Sequence, residues 1–235
     1  MSEIKRVKSG VEGLDEMLDG GIPEGFIVGV IGGPGAAKTI LGIQFIWEGI
    51  KAGEECLFVH LEGEADHIET QALQFGWDLA GSEHYHIFIQ EARDVRTMTD
   101  NIREQMKEHN IKRLVVDSIS LYNLYNKSML GYDLQFARTG LEAESEKTNR
   151  LVVEEIRSLE LTTMLLIEDF EGTKEEDKIL EFACDGVFKL GINPALNSRS
   201  IRVIKMRETK HPLDTKTFEI TNKGIEIHNK KTNKK

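Results

Sequence analysis

The stretch Gly32-Gly33-Pro34-Gly35-Ala36-Ala37-Lys38-Thr39 stands between an apolar run that predicts a strand, Ile27–Gly32, and a run with helical spacing, Lys38–Lys51. Glycines let a backbone curl its N–H groups around phosphate oxygens at the N-terminus of a helix. In such a phosphate loop, Lys38 reaches the terminal phosphates of a nucleotide and the Thr39 hydroxyl holds Mg²⁺. The plainer alternative is a glycine-rich turn with a chance lysine, but the strand before it and the helix after it favour the phosphate loop.

The predicted nucleotide contacts cover this loop and the residue that follows it: Gly32, Gly33, Pro34, Gly35, Ala36, Ala37, Lys38, Thr39 and Ile40. Ala37 departs from the usual pattern, because phosphate loops have glycine at this position. We expect its methyl group to crowd the β-phosphate and to weaken nucleotide binding.

Predicted strands and helices alternate through most of the chain. The strands are Ile27–Gly32, Glu55–Leu61, His86–Gln90, Arg113–Asp117, Thr163–Glu168, Gly186–Leu190, Ser200–Lys205 and Thr217–Ile220, and the helices are Lys38–Lys51, Ala65–Phe75, Val95–Glu108 and Glu142–Leu159. Several of the strands are continuous apolar runs, which is typical of strands buried on both faces. The order predicts an α/β fold with a mostly parallel sheet and an antiparallel, strand-rich end. Such sheets bind ligands at the carboxyl ends of their strands.

Three of these strands lead into a carboxylate at that edge. Asp117 closes its strand where an acid orients the water ligands of Mg²⁺ beside Thr39, although a capping aspartate is the alternative. Glu62 follows the second strand and is the candidate to polarise a water against the γ-phosphate, or else a surface glutamate. Glu168 is a candidate sensor of the terminal phosphate. The predicted metal residues are Thr39 and Asp117.

The composition predicts one domain, residues 1–228, followed by a basic flexible tail, residues 229–235, with four lysines. The 235 residues include 30 Lys and Arg against 40 Asp and Glu, and the resulting net charge of −10 argues against wholesale binding to nucleic acid or anionic membranes. No apolar run approaches the roughly 18 residues of a membrane span, and no signal peptide is recognised. Cys56 and Cys184 each lie in an apolar run, as buried free thiols do. We therefore expect a cytoplasmic protein.

Further segments resemble a known family. The start Ser9–Asp15, the turn Gly20–Gly25, the segment Phe75–Leu79 and the closing Lys205–His211 with Phe218–Ile225 are similar to the KaiC-like family, relatives of the recombinases RadA and RecA. The resemblance covers nearly the whole chain. It implies a RecA-like P-loop fold, ATP binding between the protomers of a ring, which we expect to be a hexamer, and slow hydrolysis.

The resemblance also implies that Lys205 and Arg207 act catalytically in trans, on the γ-phosphate held by the neighbouring protomer. Alternation places both side chains on one face of a strand, although an edge strand with solvated basic residues is the alternative. Gly63 replaces the second of the family's two consecutive glutamates, so we expect weak hydrolysis, since one catalytic carboxylate contributes roughly 10²–10⁴-fold. The family's clock protein phosphorylates a tandem Ser-Thr, and the matching segment Glu181–Cys184 has no hydroxyl, so no autokinase cycle is implied.

Channel-facing loops hold DNA in the recombinases. The corresponding segment here, Asp169–Lys178, is rich in acidic residues and is expected to repel phosphates. The segment Tyr122–Tyr132 has aromatic rings that could stack on bases, yet only one lysine, so packing or contact with a partner protein is favoured. His84 and His86 could suggest a metal, but without a third ligand nearby in sequence we expect a surface pair.

We therefore expect a homo-oligomeric ATP-binding protein with slow ATP hydrolysis, in which ATP or ADP changes the ring and thereby the binding of an unidentified protein partner. One alternative is a DNA-binding recombinase paralogue, which the charge of the loops disfavours. Another is a nucleotide-occupied assembly module without useful turnover, which Ala37 and Gly63 favour over an ordinary ATPase. Nucleic acid and membranes are not expected partners.

Overall fold

A nine-stranded sheet organises the computed structural model, which describes residues 4–61, 65–89, 95–120, 150–169 and 183–227. The strands are β1 (Arg6–Val7), β2 (Ile22–Pro23), β3 (Ile27–Gly32), β4 (Glu55–His60), β5 (Tyr85–Ile89), β6 (Ile111–Asp117), β7 (Thr162–Glu168), β8 (Gly186–Asn193), β9 (Ser198–Met206), β10 (Lys216–Thr221) and β11 (Gly224–Ile227). The helices are α1 (Glu12–Met17), α2 (Lys38–Lys51), α3 (Ala65–Leu73), α4 (Val95–Glu108) and α5 (residues 150–157), with a 3₁₀ turn at Pro194–Leu196. The first two strands form a separate two-stranded sheet.

The large sheet has the strand order β11-β10-β9-β8-β3-β7-β6-β4-β5. The six strands from β8 to β5 are parallel, and β9, β10 and β11 add antiparallel pairs at one side. The predicted α/β fold with a mostly parallel sheet and an antiparallel end is therefore confirmed. Register aligns the carboxyl ends of neighbouring strands, since Gly32 pairs with Glu168 and His60 pairs with Asp117. The strand-tip candidates Asp117 and Glu168 thus lie at one edge of the sheet.

Helix α2 packs on one face of the sheet, beneath the phosphate loop. The face of the helix that packs on the sheet is apolar, and its glycines let the helix backbone approach the strands closely. A Cβ added to Gly42 would lie 3.0 Å from Val115 Cγ1 and 3.3 Å from Leu166 Cδ1. This tight contact fixes the N-terminus of α2 relative to β6 and β7. The position of Lys38 and Thr39 is consequently set by the core.

Helices α4 and α5 cover the other face. The buried residues of α4, namely Val95, Met98, Thr99 and Ile102, recur at the spacing of one helical face. Val95, Met98 and Ile102 join the second apolar core with residues from β3, β4, β6 and β7. The parallel strands therefore lie between two apolar cores, and the loops at their carboxyl ends are left to form the site.

Several predicted features lie outside the described ranges. These are Glu62, Gly63, the first part of the predicted helix Glu142–Leu159, the segment Tyr122–Tyr132, nearly all of Asp169–Lys178 and the tail at 229–235. Within the described residues, no helix has the length and apolar character needed to span a membrane.

Candidate functional site

The loop between β3 and α2 is built around two unusual backbone positions. Gly32 sits against β8, where an added Cβ would lie 2.9 Å from Leu190 O, so only glycine fits without a shift. Ala37 adopts the left-handed conformation, with φ 74° and ψ 26°, and its carbonyl accepts the N–H of Leu41 at 3.0 Å. Ala37 thus begins the helix in a conformation that glycine adopts without strain.

Lys38 is the buried cation of the site, with a side chain only 5% exposed. Its Nζ donates to Gly32 O at 2.8 Å and to Gly33 O at 3.2 Å. The same nitrogen forms an ion pair with Glu168 Oε1 at 2.8 Å. The other carboxylate oxygen, Glu168 Oε2, is buried without a hydrogen-bond partner in the part of the chain that the structure describes. The predicted loop lysine and the third strand-tip acid are therefore in direct contact.

Thr39 and Asp117, the two predicted metal residues, also meet. Thr39 Oγ1 donates to Asp117 Oδ2 at 2.9 Å. Burial raises the pKa of Asp117, while the hydrogen bond from Thr39 and the charges of His60 and Lys38 act in the opposite direction. A hydroxyl and a buried carboxylate beside an ammonium group form an oxygen-lined, polar position that suits a hard divalent cation.

Neighbouring strand tips complete this edge. The backbone N–H of Glu168 donates to Ser120 Oγ at 2.8 Å, which fixes the tip of β7 against the turn after β6. His60 ends β4, and its Nδ1 is buried without a hydrogen-bond partner among the described residues. The predicted strand Glu55–Leu61 therefore ends one residue earlier than expected, and the catalytic position predicted for Glu62 is not described.

Arg199 at the start of β9 is a loop contact that the sequence reading missed. Its Nε donates to Gly35 O at 3.2 Å, and on the same side Lys189 pairs with Asp169 at 3.2 Å. Nothing in the sequence links Arg199 to a loop 164 positions earlier, because the contact depends on the antiparallel return of β9 along β8.

Lys205 and Arg207 lie at the opposite edge of the sheet. Lys205 pairs with Val187 near the start of β8 and donates to Cys184 O at 2.7 Å, and Arg207 pairs with Asp185 at 2.9 Å. Burial, followed by the charge of Arg207, lowers the pKa of Lys205. Register places Lys205 level with Gly29, about 10 Å along the sheet from Gly32. Both basic side chains are turned to Cys184 O and Asp185, and not to the loop of their own protomer.

The edge-strand alternative for these two residues holds in part. Strand β9 pairs with β8 along its length, whereas β10 pairs with it only at Arg199, Ser200 and Ile201. Its second half, which leads to Lys205, is therefore an edge among the described residues. Arg207 follows the last residue of the strand.

Asp185 organises the basic end of β9. It is 4% exposed, and its carboxylate accepts hydrogen bonds from Arg207, from Arg157 at 2.9 Å and from the N–H of Ile27 at 3.1 Å. The Arg207 guanidinium is thereby held in place while its side chain remains 51% exposed. A positioned, exposed guanidinium is suited to contact another molecule.

The chain is similar to proteins of one family in both sequence and structure. The sequence model of the KaiC ATPase family matches residues 7–232. A UPF0273 protein of Thermotoga maritima is 31% identical over 250 residues, covering 96% of each chain, and a UPF0273 protein of Pyrococcus horikoshii is 30% identical, covering 95% of this chain and 94% of that one. The crystal structure of a KaiC-like protein from Pyrococcus horikoshii aligns with a TM-score of 0.79 and 31% identity, over 97% of this chain and 100% of the other.

Proposed function

Because the chain belongs to the KaiC family of P-loop ATPases, we propose that it binds ATP with Mg²⁺, hydrolyses it slowly and acts as a nucleotide-dependent oligomeric regulator or assembly module. The observation that carries the proposal is the contact of Thr39 with Asp117 at 2.9 Å, beside Lys38 at the mouth of the phosphate loop. Lys38 and Thr39 follow β3, whereas Asp117 ends β6. A glycine-rich turn with a chance lysine gives no reason for these three residues to lie together.

The residues present fit Mg²⁺, since Thr39 and Asp117 offer oxygen atoms of the kind it prefers. Mg²⁺ held by Thr39 and Asp117 would supply positive charge that neutralises the phosphates of a bound nucleotide. Lys38 serves the same phosphates directly, exchanging its ion pair with Glu168 for phosphate oxygens. Glu168 then loses its cationic partner, which makes it responsive to whether the terminal phosphate is present.

Hydrolysis is proposed to be slow because the acidic pair after β4 is incomplete. Glu62 remains the candidate that polarises the attacking water, and Gly63 has no side chain to assist it. Ala37 is the second departure from an ordinary phosphate loop. If hydrolysis is negligible, the same proposal describes an assembly module that holds ATP without useful turnover.

A ring, expected to be a hexamer, is proposed because the basic residues lie far from their own loop. Lys205 and Arg207 are held by Cys184 O and Asp185, away from the loop of their own protomer, so the phosphate that they contact in this proposal belongs to another protomer. A trans-acting arginine contributes roughly 10³–10⁵-fold to the rate of P-loop enzymes. ATP that bridges two protomers also stabilises the assembly by mass action. If a protein partner binds only one of the two nucleotide states, its binding then depends on the relative levels of ATP and ADP.

Nucleotide binding is tested with a fluorescent ATP analogue and Mg²⁺. Lys38→Ala should weaken binding by roughly 10- to 100-fold, since hydrogen bonds to charged groups contribute about 1.5–3 kcal/mol. Lys51→Ala is the matched control, because Lys51 lies in the last turn of the same helix and is 54% exposed. Equal affinity in all three proteins contradicts the assignment.

Assembly is tested by light scattering with ATP, with ADP and without nucleotide. The particle mass should increase with ATP, and Arg207→Ala should reduce both this increase and ATP turnover. Arg202→Ala, an exposed arginine on the same strand, should reduce neither. A wild-type monomer at micromolar concentration with ATP, together with unchanged turnover in Arg207→Ala, contradicts the trans role.

A further inference from the structure

Three histidines and a glutamate meet at the amino edge of the sheet, far from the phosphate loop. His84 Nδ1 lies 2.8 Å from Glu55 Oε1, and His86 Nε2 lies 2.7 Å from Glu55 Oε2. The ring of His109 stacks on that of His86, with 3.8 Å between centroids. We propose that Glu55, His86 and His109 form a zinc-binding site, with His84 positioning the Glu55 carboxylate.

The sheet register produces this cluster. Glu55 begins β4, which is flanked by β5 on one side and β6 on the other. His86 follows the start of β5, and His84 precedes it by two positions, so both side chains share one face. His109 follows α4 immediately before β6. His86 and His109, which follow Glu55 by 31 and 54 positions, thus meet it because parallel strands begin at the same edge. The sequence showed no third ligand near His84 and His86, whereas the fold brings Glu55 and His109 to them.

The backbone holds the ligands independently of any ion. His84 O accepts the N–H of Cys56 at 2.9 Å, which ties it to β4. His109 N donates to Gln105 O at 2.8 Å, and His109 O accepts the N–H of Ile111 at 2.9 Å. The three ligands and His84 therefore approach from elements whose relative positions are set by the core. A site held in this way loses little conformational freedom when it binds an ion.

The chemistry and geometry of the donor set select zinc. The ligating atoms of Glu55, His86 and His109 lie within 4.8 Å of one another. A tetrahedral zinc ion with bonds of about 2.0–2.1 Å needs its ligands about 3.3 Å apart. Binding therefore requires the stacked rings of His86 and His109 to rotate until one nitrogen of each faces the ion. Neutral imidazole nitrogens favour Zn²⁺ over Mg²⁺ or Ca²⁺, which prefer oxygen. The His86 and Glu55 side chains are 14% and 25% exposed, so an ion can enter and then be largely shielded.

The ring of His109 packs against that of His86, which brings a third ligand to the pair of Glu55 and His86.

The test is calorimetric titration of the full-length, chelator-treated, nucleotide-free chain with zinc chloride. We expect one zinc ion per chain, and at least about 100-fold weaker binding in His86→Ala and in His109→Ala, since even residues that only orient metal ligands contribute 10–100-fold. His67→Ala is the control, because His67 is exposed on α3 and should bind no zinc. Equal zinc affinity in the wild type and in the His86→Ala, His109→Ala double variant overturns the proposal and assigns any zinc to another part of the chain.

Two measurements keep the proposal testable if an alanine variant folds poorly. Co²⁺ in place of zinc should give the intense visible absorption of tetrahedral coordination in the wild type, and its absence overturns the site. Glu55→Gln retains the size of the side chain and removes its charge. It should retain the fold by circular dichroism and lose zinc affinity, and full zinc affinity in this variant removes Glu55 from the ligand set.

Discussion

Replacing Ala37 with glycine is expected to stabilise the protein. Ala37 is held at φ 74° and ψ 26°, and the left-handed conformation costs an L-residue about 1–2 kcal/mol that glycine does not incur. Glycine also gives the unfolded chain more freedom, which offsets about 0.5–1 kcal/mol of the gain. The free energy of unfolding should therefore rise by about 0.5–1 kcal/mol. For a chain of this length that corresponds to roughly 1–4 °C in Tm.

The neighbouring alanine supplies the control. Ala36 is 1% exposed, and its φ is not in the left-handed region. Ala36→Gly removes a buried methyl group and relieves no strain, so it should lower the free energy of unfolding by about 1 kcal/mol. Urea denaturation and calorimetric melting of the nucleotide-free proteins compare the two variants. Equal destabilisation by both substitutions would refute the reasoning from the backbone conformation.

The same variant tests whether the Ala37 methyl group crowds the β-phosphate. Backbone strain that is equal with and without nucleotide cannot change affinity, because a ligand responds only to differences between the two states. Tighter ATP binding by Ala37→Gly is therefore evidence for crowding. An unchanged ATP affinity, with the gain in stability, shows that the crowding expectation is wrong.

Three further substitutions separate stability from function. Asp117→Asn should stabilise the nucleotide-free protein at neutral pH, because burial raises the pKa of Asp117 and the variant has no buried charge there. In urea denaturation, this gain in the free energy of unfolding should shrink as the pH falls through the raised pKa, since the wild-type carboxyl then takes up a proton. Asp185→Ala should lower the free energy of unfolding by about 1–3 kcal/mol, largely by leaving the buried N–H of Ile27 without an acceptor, whereas Asp185→Asn should lose less. Gly63→Glu should raise ATP turnover by up to roughly 100-fold in a phosphate-release assay, with ATP affinity unchanged and Gly63→Gln as control.

Long apolar runs made much of the fold predictable. The predicted bounds of β3, α2 and α4 coincide with those observed, because each is a sustained pattern of one period. The meeting of Thr39 with Asp117 was also predictable, since parallel strands bring their carboxyl ends to one edge. The sequence therefore indicated the part of the site that is formed by the phosphate loop and Asp117.

Short elements and long-range contacts were not predictable. β1 and β2 have two residues each, which is too short for a periodic signal, and the sequence reading also missed α1 and β11. The contact of Arg199 with Gly35 depends on the return path of β9. The pairing of Glu55 with His86 depends on strand register, which no local pattern specifies.

Calorimetric titration with ATP, in Mg²⁺ and then in excess chelator, tests the central claim most directly. The account predicts that the wild type binds ATP with Mg²⁺ and loses most of its affinity in chelator. Thr39→Ser, which retains the hydroxyl, should behave in the same way, and Thr39→Val, which has the same shape without it, should bind weakly in both conditions. ATP affinity that is unaffected by Mg²⁺ and equal in Thr39→Ser and Thr39→Val would contradict the account.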